Sequence, residues 1–238
     1  MNIVKISLII PAYNEADRIA AAIEKARSYL DASSYEYEIL VVDDGSSDNT
    51  ARAVRSAGLE PVILEKNSGK GAAVCAGVRA SNGDITMFTD ADLPYDLSLI
   101  FESASKISRG ADVVIGSRAG GGYEKYGALR RFCSGAFSVI SNMFLRLDIK
   151  DTQCGFKAFK TQCAKDLFSR ITVDGFGFDI ELLYIAKKLG YKIETVPAHM
   201  IAPPVKSTVN PVADGFRMLL DIFEIRKNDA RGIYGIKK

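Results

Sequence analysis

What this sequence lacks excludes several kinds of protein. The 238-residue chain has a formal charge of only +2, so its overall balance gives no reason to expect nucleic acid as a partner. Its four cysteines, at positions 75, 133, 154 and 163, form no C-x-x-C pair. That spacing argues against a zinc site and suits a reduced, cytosolic compartment in which the thiols are small buried residues. No apolar run approaches the roughly 18–20 residues that a spanning helix needs. The opening Met1-Asn2-Ile3-Val4-Lys5 runs directly into a strand without the pattern of a signal peptide. The chain is therefore expected to be cytoplasmic and not to cross a membrane. There is no internal repeat and no low-complexity segment. Asn67-Ser68-Gly69-Lys70-Gly71 is a glycine loop that does not match G-x-x-x-x-G-K-[ST], so a P-loop is excluded. No G-x-G-x-x-G follows the first strand, which disfavours a dinucleotide-dependent oxidoreductase.

What is present reads as an α/β protein. A hydrophobic fraction of 47% is enough for a substantial core. Buried strands are predicted at Ile6–Ile10, Tyr37–Val42, Pro61–Leu64, Ile85–Thr89 and Val113–Ser117. Helices are predicted at Asn14–Leu30, from the turn at Asp43–Thr50 to about Ala57, from the glycine loop to about Ala80, and at Leu97–Arg109. Regular alternation of the two predicts a mostly parallel sheet with helices on both faces. The pattern weakens after Arg118, at Gly120-Gly121-Gly122.

The organising stretch is Ile85-Thr86-Met87-Phe88-Thr89-Asp90-Ala91-Asp92. Two carboxylates spaced two apart at a strand end point to one side. Past the carboxyl end of a parallel strand is where α/β sheets bind ligands. Two such charges repel unless a cation lies between them. Mg²⁺, held by one or two carboxylates with phosphate oxygens completing its shell, is the usual answer. Asp-x-Asp is also an ordinary turn sequence whose side chains cap helices. Two more loops, Pro11-Ala12-Tyr13-Asn14-Glu15 and Asp43-Asp44-Gly45-Ser46 after Val42, open on the same edge. A nucleotide suits that edge. Tyr13 would flank a base, Asp44 would accept a base N–H or a ribose hydroxyl, and Lys70 would add charge toward phosphates. Packing for Tyr13, turn-capping for Asp43 and Asp44, and solvation for Lys70 are the plainer alternatives.

Pro-Ala-Tyr-Asn-Glu, Val-Val-Asp-Asp-Gly-Ser and Thr-Asp-Ala-Asp at these spacings resemble the inverting glycosyltransferases of family 2, which have the GT-A fold. Gly116-Ser117-Arg118, Arg130-Arg131 and the heptad Asp151-Thr152-Gln153-Cys154-Gly155-Phe156-Lys157 resemble the polyprenyl-phosphate sugar synthases within that family. The heptad, followed by Gly177-Phe178-Asp179-Ile180-Glu181-Leu182-Leu183, is closer to the dolichyl-phosphate β-glucosyltransferase branch than to the mannosyl branch. The resemblance spans residues 6 to about 196. Pro94 stands where mannosyl enzymes commonly have Gln, and the stretch His199–Asn210 keeps only Lys206 and Ser207 of the usual Gly-Ser-Lys loop.

The resemblance implies transfer of a hexose, glucose from UDP-glucose, to a polyprenyl (dolichyl-type) phosphate. It implies a divalent metal, Mg²⁺ or Mn²⁺, on Asp90 and Asp92. Pro11, Tyr13, Glu15, Val42, Asp43, Asp44, Lys70, Asp90, Ala91 and Lys206 would contact the nucleotide sugar. Asp92, Arg118 and Arg131 would serve catalysis, the arginines by gripping the acceptor phosphate. Gln153, Asp179 and Glu181 would face the sugar or acceptor, although on one helix the spacing of Asp179 and Glu181 keeps both from facing it squarely. An acceptor phosphate is already anionic and needs no general base, which fits a chain whose single histidine, His199, lies outside every motif. A GDP-mannose donor, a glycan hydroxyl acceptor and a nucleotide-sugar-binding module without turnover are the alternatives.

The acceptor side has its own pattern. Leu129, Phe132, Cys133, Ala136, Phe137, Ile140, Met143, Phe144 and Leu147 form a helix-period apolar stripe. A second amphipathic helix is predicted over Val212–Arg226, ahead of a basic end. These helices would lie on an anionic bilayer surface, at the cytosolic face, or else face the core or a second subunit. Residues 1–198 are expected to be the catalytic domain. Residues 199–238 would form an acceptor-side loop, helix and basic tail.

Overall fold

The computed structural model describes residues 4–118, 139, 141–149, 151–173, 175, 177–201 and 211–236, without the side chains of 211–218. Seven strands form one sheet: β1 Lys5–Ala12, β2 Glu36–Asp43, β3 Val62–Ile63, β4 Ile85–Phe88, β5 Val113–Ser117, β6 Lys157–Lys160 and β7 Ile193–Pro197, in the order β3-β2-β1-β4-β6-β5-β7. The helices described are α1 Ile19–Asp31, α2 Thr50–Ser56, α3 Lys70–Ala80, α4 Ser98–Ser108, α5 Thr161–Phe168, α6 Phe178–Lys188 and α7 Pro211–Ala230.

The two faces of the sheet follow from side-chain alternation. On β1, Ile6, Leu8 and Ile10 join a core with Ile19, Ile23 and Leu30 of α1 and with Leu99, Ile100 and Ala104 of α4. Ile9, between them, points to the other face, where a second core collects Val74 and Val78 of α3, Phe88, Phe159, and residues of α5, α6 and α7. Helix α6 is buried along most of its length, and Phe178, Ile180, Leu182, Leu183 and Ile185 are fully inaccessible. Two carboxylates, Asp179 and Glu181, are buried with them in its first turn.

β1 pairs in parallel with β2 and β4, with Ala12 beside Asp43 and Ile9 beside Phe88. The loops after these strands emerge together, as expected for parallel neighbours. β6 was not anticipated. It lies antiparallel between β4 and β5, with Phe88 beside Lys157 and Ile115 beside Lys157. A four-residue strand inside a motif-bearing stretch carries too little periodicity to be read. Its effect is to bring residues 151–156 against the end of β4.

Helix α1 starts at Ile19, not at Asn14. Asn14 has φ +54° and residues 14–16 bond to the loop after β2, which holds them out of the helix. Of the helix predicted at 129–147, residues 139 and 141–145 are helical, and 129–138 and 140 lie outside the described residues. That helix ends at Arg146, whose φ is +51°. Residues after 198 join the main body: Asp96 donates its N–H to His199 O, and Ile201 donates to Pro94 O, both at 3.0 Å. No helix among the described residues is long and apolar enough to cross a membrane.

Candidate active site

Polar side chains tie the loops after β1 and β2 into one rim. Asn14 N donates to Ser46 Oγ at 2.9 Å, and Ser47 N donates to Asn14 Oδ1 at 2.9 Å. Glu15 N donates to Thr50 Oγ1 at 2.8 Å and Ala16 N to Asp48 Oδ2 at 3.1 Å. Asp43 accepts the Ser46 N–H. Asp44 accepts from Ser68 N and Gly69 N, each at 2.8 Å, and so anchors the glycine loop. Burial pushes the Asp44 carboxyl up; the two amides lower it and neighbouring Asp43 raises it, with a net upward shift. Both aspartates thus carry the turn-capping role as well as their place on the rim. Tyr13 is 45% exposed beside them. Pro11 is half-buried, while Val42 is fully buried in the second core. The side chain of Val42 therefore packs, and it does not face a ligand.

The end of β4 completes the rim. Leu93 N donates to Asp90 O at 3.0 Å, closing a turn in which Leu93, a branched residue, holds φ +43°. Ala91 and Leu93 are buried, which leaves the carboxylates of Asp90 and Asp92 as the polar groups of the turn. Burial pushes Asp92 up, and the charge of Asp90 pushes it further. Glu15 is raised by burial, with Arg18 lowering it and Asp92 raising it. Arg18 pairs with Glu15 at 2.9 Å and also lowers Asp92, so it belongs to this cluster. Sequence reading missed Arg18; its i, i+3 spacing from Glu15 was the available signal.

Lys70, the first residue of α3, reaches across to Asp90 with Nζ 2.5 Å from Oδ1. Two ammonium groups stand near the Phe88 ring, Lys70 at 5.9 Å and Lys157 at 5.6 Å from its centroid. Lys157 is fully buried and bonds Asp179 at 2.6 Å and Cys154 O at 3.0 Å. Asp179, in the first turn of α6, is thereby joined to the layer beneath Asp90. Gly155 brings the heptad against the rim. A Cβ there would stand 1.9 Å from Asp90 Oδ2.

Glu181 is a correction. It is fully buried and accepts hydrogen bonds from Thr172 N at 2.9 Å, Thr172 Oγ1, Val173 N at 2.8 Å and Tyr234 Oη at 2.7 Å. Its carboxylate is committed to joining α6 to the chain end and does not reach the Asp90 side. Burial and Glu181 together raise the Tyr234 phenol well above its usual range.

Arg118 leaves the end of β5 and grips Asp151, with Nε on Oδ2 and Nη2 on Oδ1, each at 2.8 Å. Burial raises the Asp151 carboxyl, but the guanidinium outweighs it and the net shift is downward. The Asp151 side chain is 2% exposed, so this pair is held rigidly. Gln153 N donates to Asp151 Oδ1 at 3.3 Å. Arg131 and Lys206 lie outside the described residues.

Comparison with known proteins follows the same lines. Glycosyl transferase family 2 matches residues 7–168. The chain is 32% identical to a dolichyl-phosphate β-glucosyltransferase of Dictyostelium discoideum, over 98% of this chain and 77% of that protein. Its fold is shared with glucosyl-3-phosphoglycerate synthase of Mycobacterium tuberculosis solved with UDP, at TM-score 0.71 and 20% identity, covering 99% of this chain and 82% of the other. The same enzyme solved with Mn²⁺, UDP and glucosyl-3-phosphoglycerate aligns at TM-score 0.68 and 22% identity, over 93% and 80% of the two chains. A rim built from the ends of β1, β2 and β4 on a GT-A sheet, and a family match across most of the chain, lead to one conclusion: this protein belongs to glycosyl transferase family 2.

Proposed function

We propose that the chain moves glucose from UDP-glucose to a dolichyl-type polyprenyl phosphate, with inversion at the anomeric carbon and with Mg²⁺ or Mn²⁺ on Asp90 and Asp92. The observation that carries the proposal is the junction at Asp90. The donor rim, the lysine of α3 and the Asp151–Lys157 heptad all meet there, and the heptad is where the chain resembles dolichyl-phosphate glucosyltransferases.

The donor set suits a hard cation. Two carboxylates share one strand end and repel each other, and a lysine ammonium already rests on one of them. Among the described residues no cluster of three His, Cys, Asp or Glu could hold a metal, so oxygens of the diphosphate would complete the shell. When bound, the ion supplies charge stabilisation for the departing diphosphate. The protein's own residues do the rest. Tyr13 and the Asp43–Asp44 turn position the nucleoside. The first turn of α3, with its free amides, faces the phosphates. Asp179, oriented by Lys157, lies on the sugar side. Arg118, held by Asp151, and Arg131 meet the acceptor phosphate, whose own charge makes it the nucleophile.

The membrane belongs to the same proposal. Val139, Met143 and Phe144 are exposed beside Leu220 and Phe223 of α7, and the Phe144 and Phe223 rings touch edge to face at 5.5 Å. Leu220, Phe223 and Lys227 share one helix face. Such a surface suits a polyprenyl chain at an anionic bilayer, with the protein peripheral at its cytosolic face and residues 199–238 serving the acceptor side.

The test is transfer from labelled UDP-glucose and GDP-mannose to polyprenyl phosphate or to a glycan hydroxyl acceptor, with and without chelator. The expected product is glucosyl polyprenyl phosphate from UDP-glucose, lost with chelator. Preference for GDP-mannose or for the hydroxyl acceptor would replace the donor or acceptor assignment. Binding without turnover would make the chain a recognition module.

A further inference from the structure

Lys70 occupies a position at odds with its charge. It is the first residue of α3, at the positive end of the helix dipole, where a cation is disfavoured. The amides of Lys70, Gly71 and Ala72 have no intrahelical acceptor, and such an end favours an anion. The ammonium nevertheless turns away to Asp90 Oδ1, with its side chain only 20% exposed. Its backbone is not free to follow a ligand. Gly69, immediately before it, holds φ +91° and donates its N–H to Asp44, so only the side chain can swing. The partner it has chosen is one of the two carboxylates assigned above to the divalent cation. An ammonium and a divalent cation on the same carboxylate repel strongly, and each withdraws lone pairs that the other needs.

We infer that Lys70 is an exchangeable counter-ion, neutralising Asp90 while the donor site is open and transferring to the donor's diphosphate when a divalent cation takes Asp90. The inference rests on the reading of Asp90 and Asp92 as metal ligands and deepens it. Metal alone must displace the ammonium with nothing to receive it. Metal with a nucleoside diphosphate supplies an anion at the helix end, where lysine and amides converge on it. The two ligands therefore bind with positive coupling, and Lys70 carries part of that coupling.

The experiment measures Mn²⁺ binding by electron paramagnetic resonance, with and without UDP, and UDP binding by calorimetry, for the unaltered protein, Lys70→Met and Lys70→Arg. Lys70→Met is expected to bind Mn²⁺ alone at least fivefold more tightly, and UDP in the presence of Mn²⁺ at least tenfold more weakly. Lys70→Arg is expected to keep the coupling. A purely structural lysine would weaken both ligands on removal. Mn²⁺ affinity that is unchanged or lower in Lys70→Met, with the unaltered protein still binding Mn²⁺ and UDP cooperatively, overturns the counter-ion role alone. If the unaltered protein binds UDP equally with and without Mn²⁺, the metal reading falls and takes this inference with it. A second measurement needs no variant. Amine labelling of Lys70, read by peptide mass spectrometry, should rise with Mn²⁺ alone and fall when UDP is added. Labelling indifferent to Mn²⁺ overturns the exchange.

Discussion

The rim formed by the loops after β1, β2 and β4 and the surface formed by residues 139–149 and α7 differ in how they are built. The rim is tied by short polar links between side chain and backbone: Asn14 to Ser46 and Ser47, Glu15 to Thr50, Asp44 to Ser68 and Gly69. Each link replaces a water contact with an internal one and removes a degree of freedom before any ligand arrives. The other surface has polar ties as well, Asn142 to Ile149 and Asp229 to Tyr184 and Lys188, but its described residues also present apolar side chains outward: Phe144 and Phe223 touch, and Met143 and Leu220 remain exposed. A nucleotide needs fixed donors and acceptors at set distances, which polar cross-links provide. A polyprenyl chain needs area and tolerance of shape, which exposed apolar side chains provide.

Substitutions can break that contrast, and the largest effect is expected at the rim. Asp92→Asn removes one charge of the proposed metal site without changing size. Turnover is expected to fall by about 10²–10³-fold, while thermal stability is unchanged or slightly raised because repulsion from Asp90 is relieved. Steady-state kinetics beside a melting curve checks both halves. Gly155→Ala comes next: its Cβ would run into Asp90, displacing the carboxylate or the heptad. A loss of at least about tenfold in kcat/KM is expected, consistent with the sensitivity of rates to ångström-scale misplacement. Wild-type kinetics in this variant would mean that the heptad does not press on the rim.

Asp151→Asn sharpens the comparison by breaking a rigid polar tie, the Arg118–Asp151 pair, on the side proposed to take the acceptor. Breaking a buried pair costs about 3–5 kcal/mol. The Asp151 carboxyl lies below its ordinary value in the fold, so the stability it contributes is present above about pH 4 and disappears as pH falls through the folded value. Denaturant melts from pH 7 down to pH 3 should show the gap between wild type and Asp151→Asn narrowing only at the acid end. Glu181→Gln is expected to cost about 1–3 kcal/mol and to leave the KM for donor unchanged, since four bonds commit the carboxylate to Thr172, Val173 and Tyr234. A selective change in sugar specificity would restore it to the site. The smallest effect on the isolated protein belongs to Leu220→Ser with Phe223→Ser. Stability should change by less than about 0.5 kcal/mol, as for exposed positions generally, while sedimentation with anionic vesicles falls. Undiminished vesicle binding would remove this face from membrane contact.

Much of the rim was legible because its information is local. Asp90, Asp92, Asp44 and Lys70 each stand at a strand end or a helix start, and parallel strands bring such ends together. Glu181 was misread for the opposite reason. It shares a helix turn with Asp179, and nothing nearby in sequence says that Tyr234, 53 residues away, will bond it. Val42 was counted among the donor contacts on the family resemblance, yet strand alternation sends its side chain into the second core.

The sequence alone determined the alternation of strand and helix, the burial of the strands and the family motifs, because these depend on residue periodicity and on spacing within a dozen positions. Tertiary structure decided the rest. It inserted β6 antiparallel between β4 and β5, which pressed Gly155 against Asp90. It buried Lys157 with Asp179 beneath Phe88, joined Arg118 to Asp151, and turned Lys70 from its own helix end to Asp90. Each of these is a pairing of charges across 20 or more residues. Such pairings are chosen when a low-dielectric interior leaves a charge no alternative to the one partner within reach, and only the packed fold specifies which partner that is.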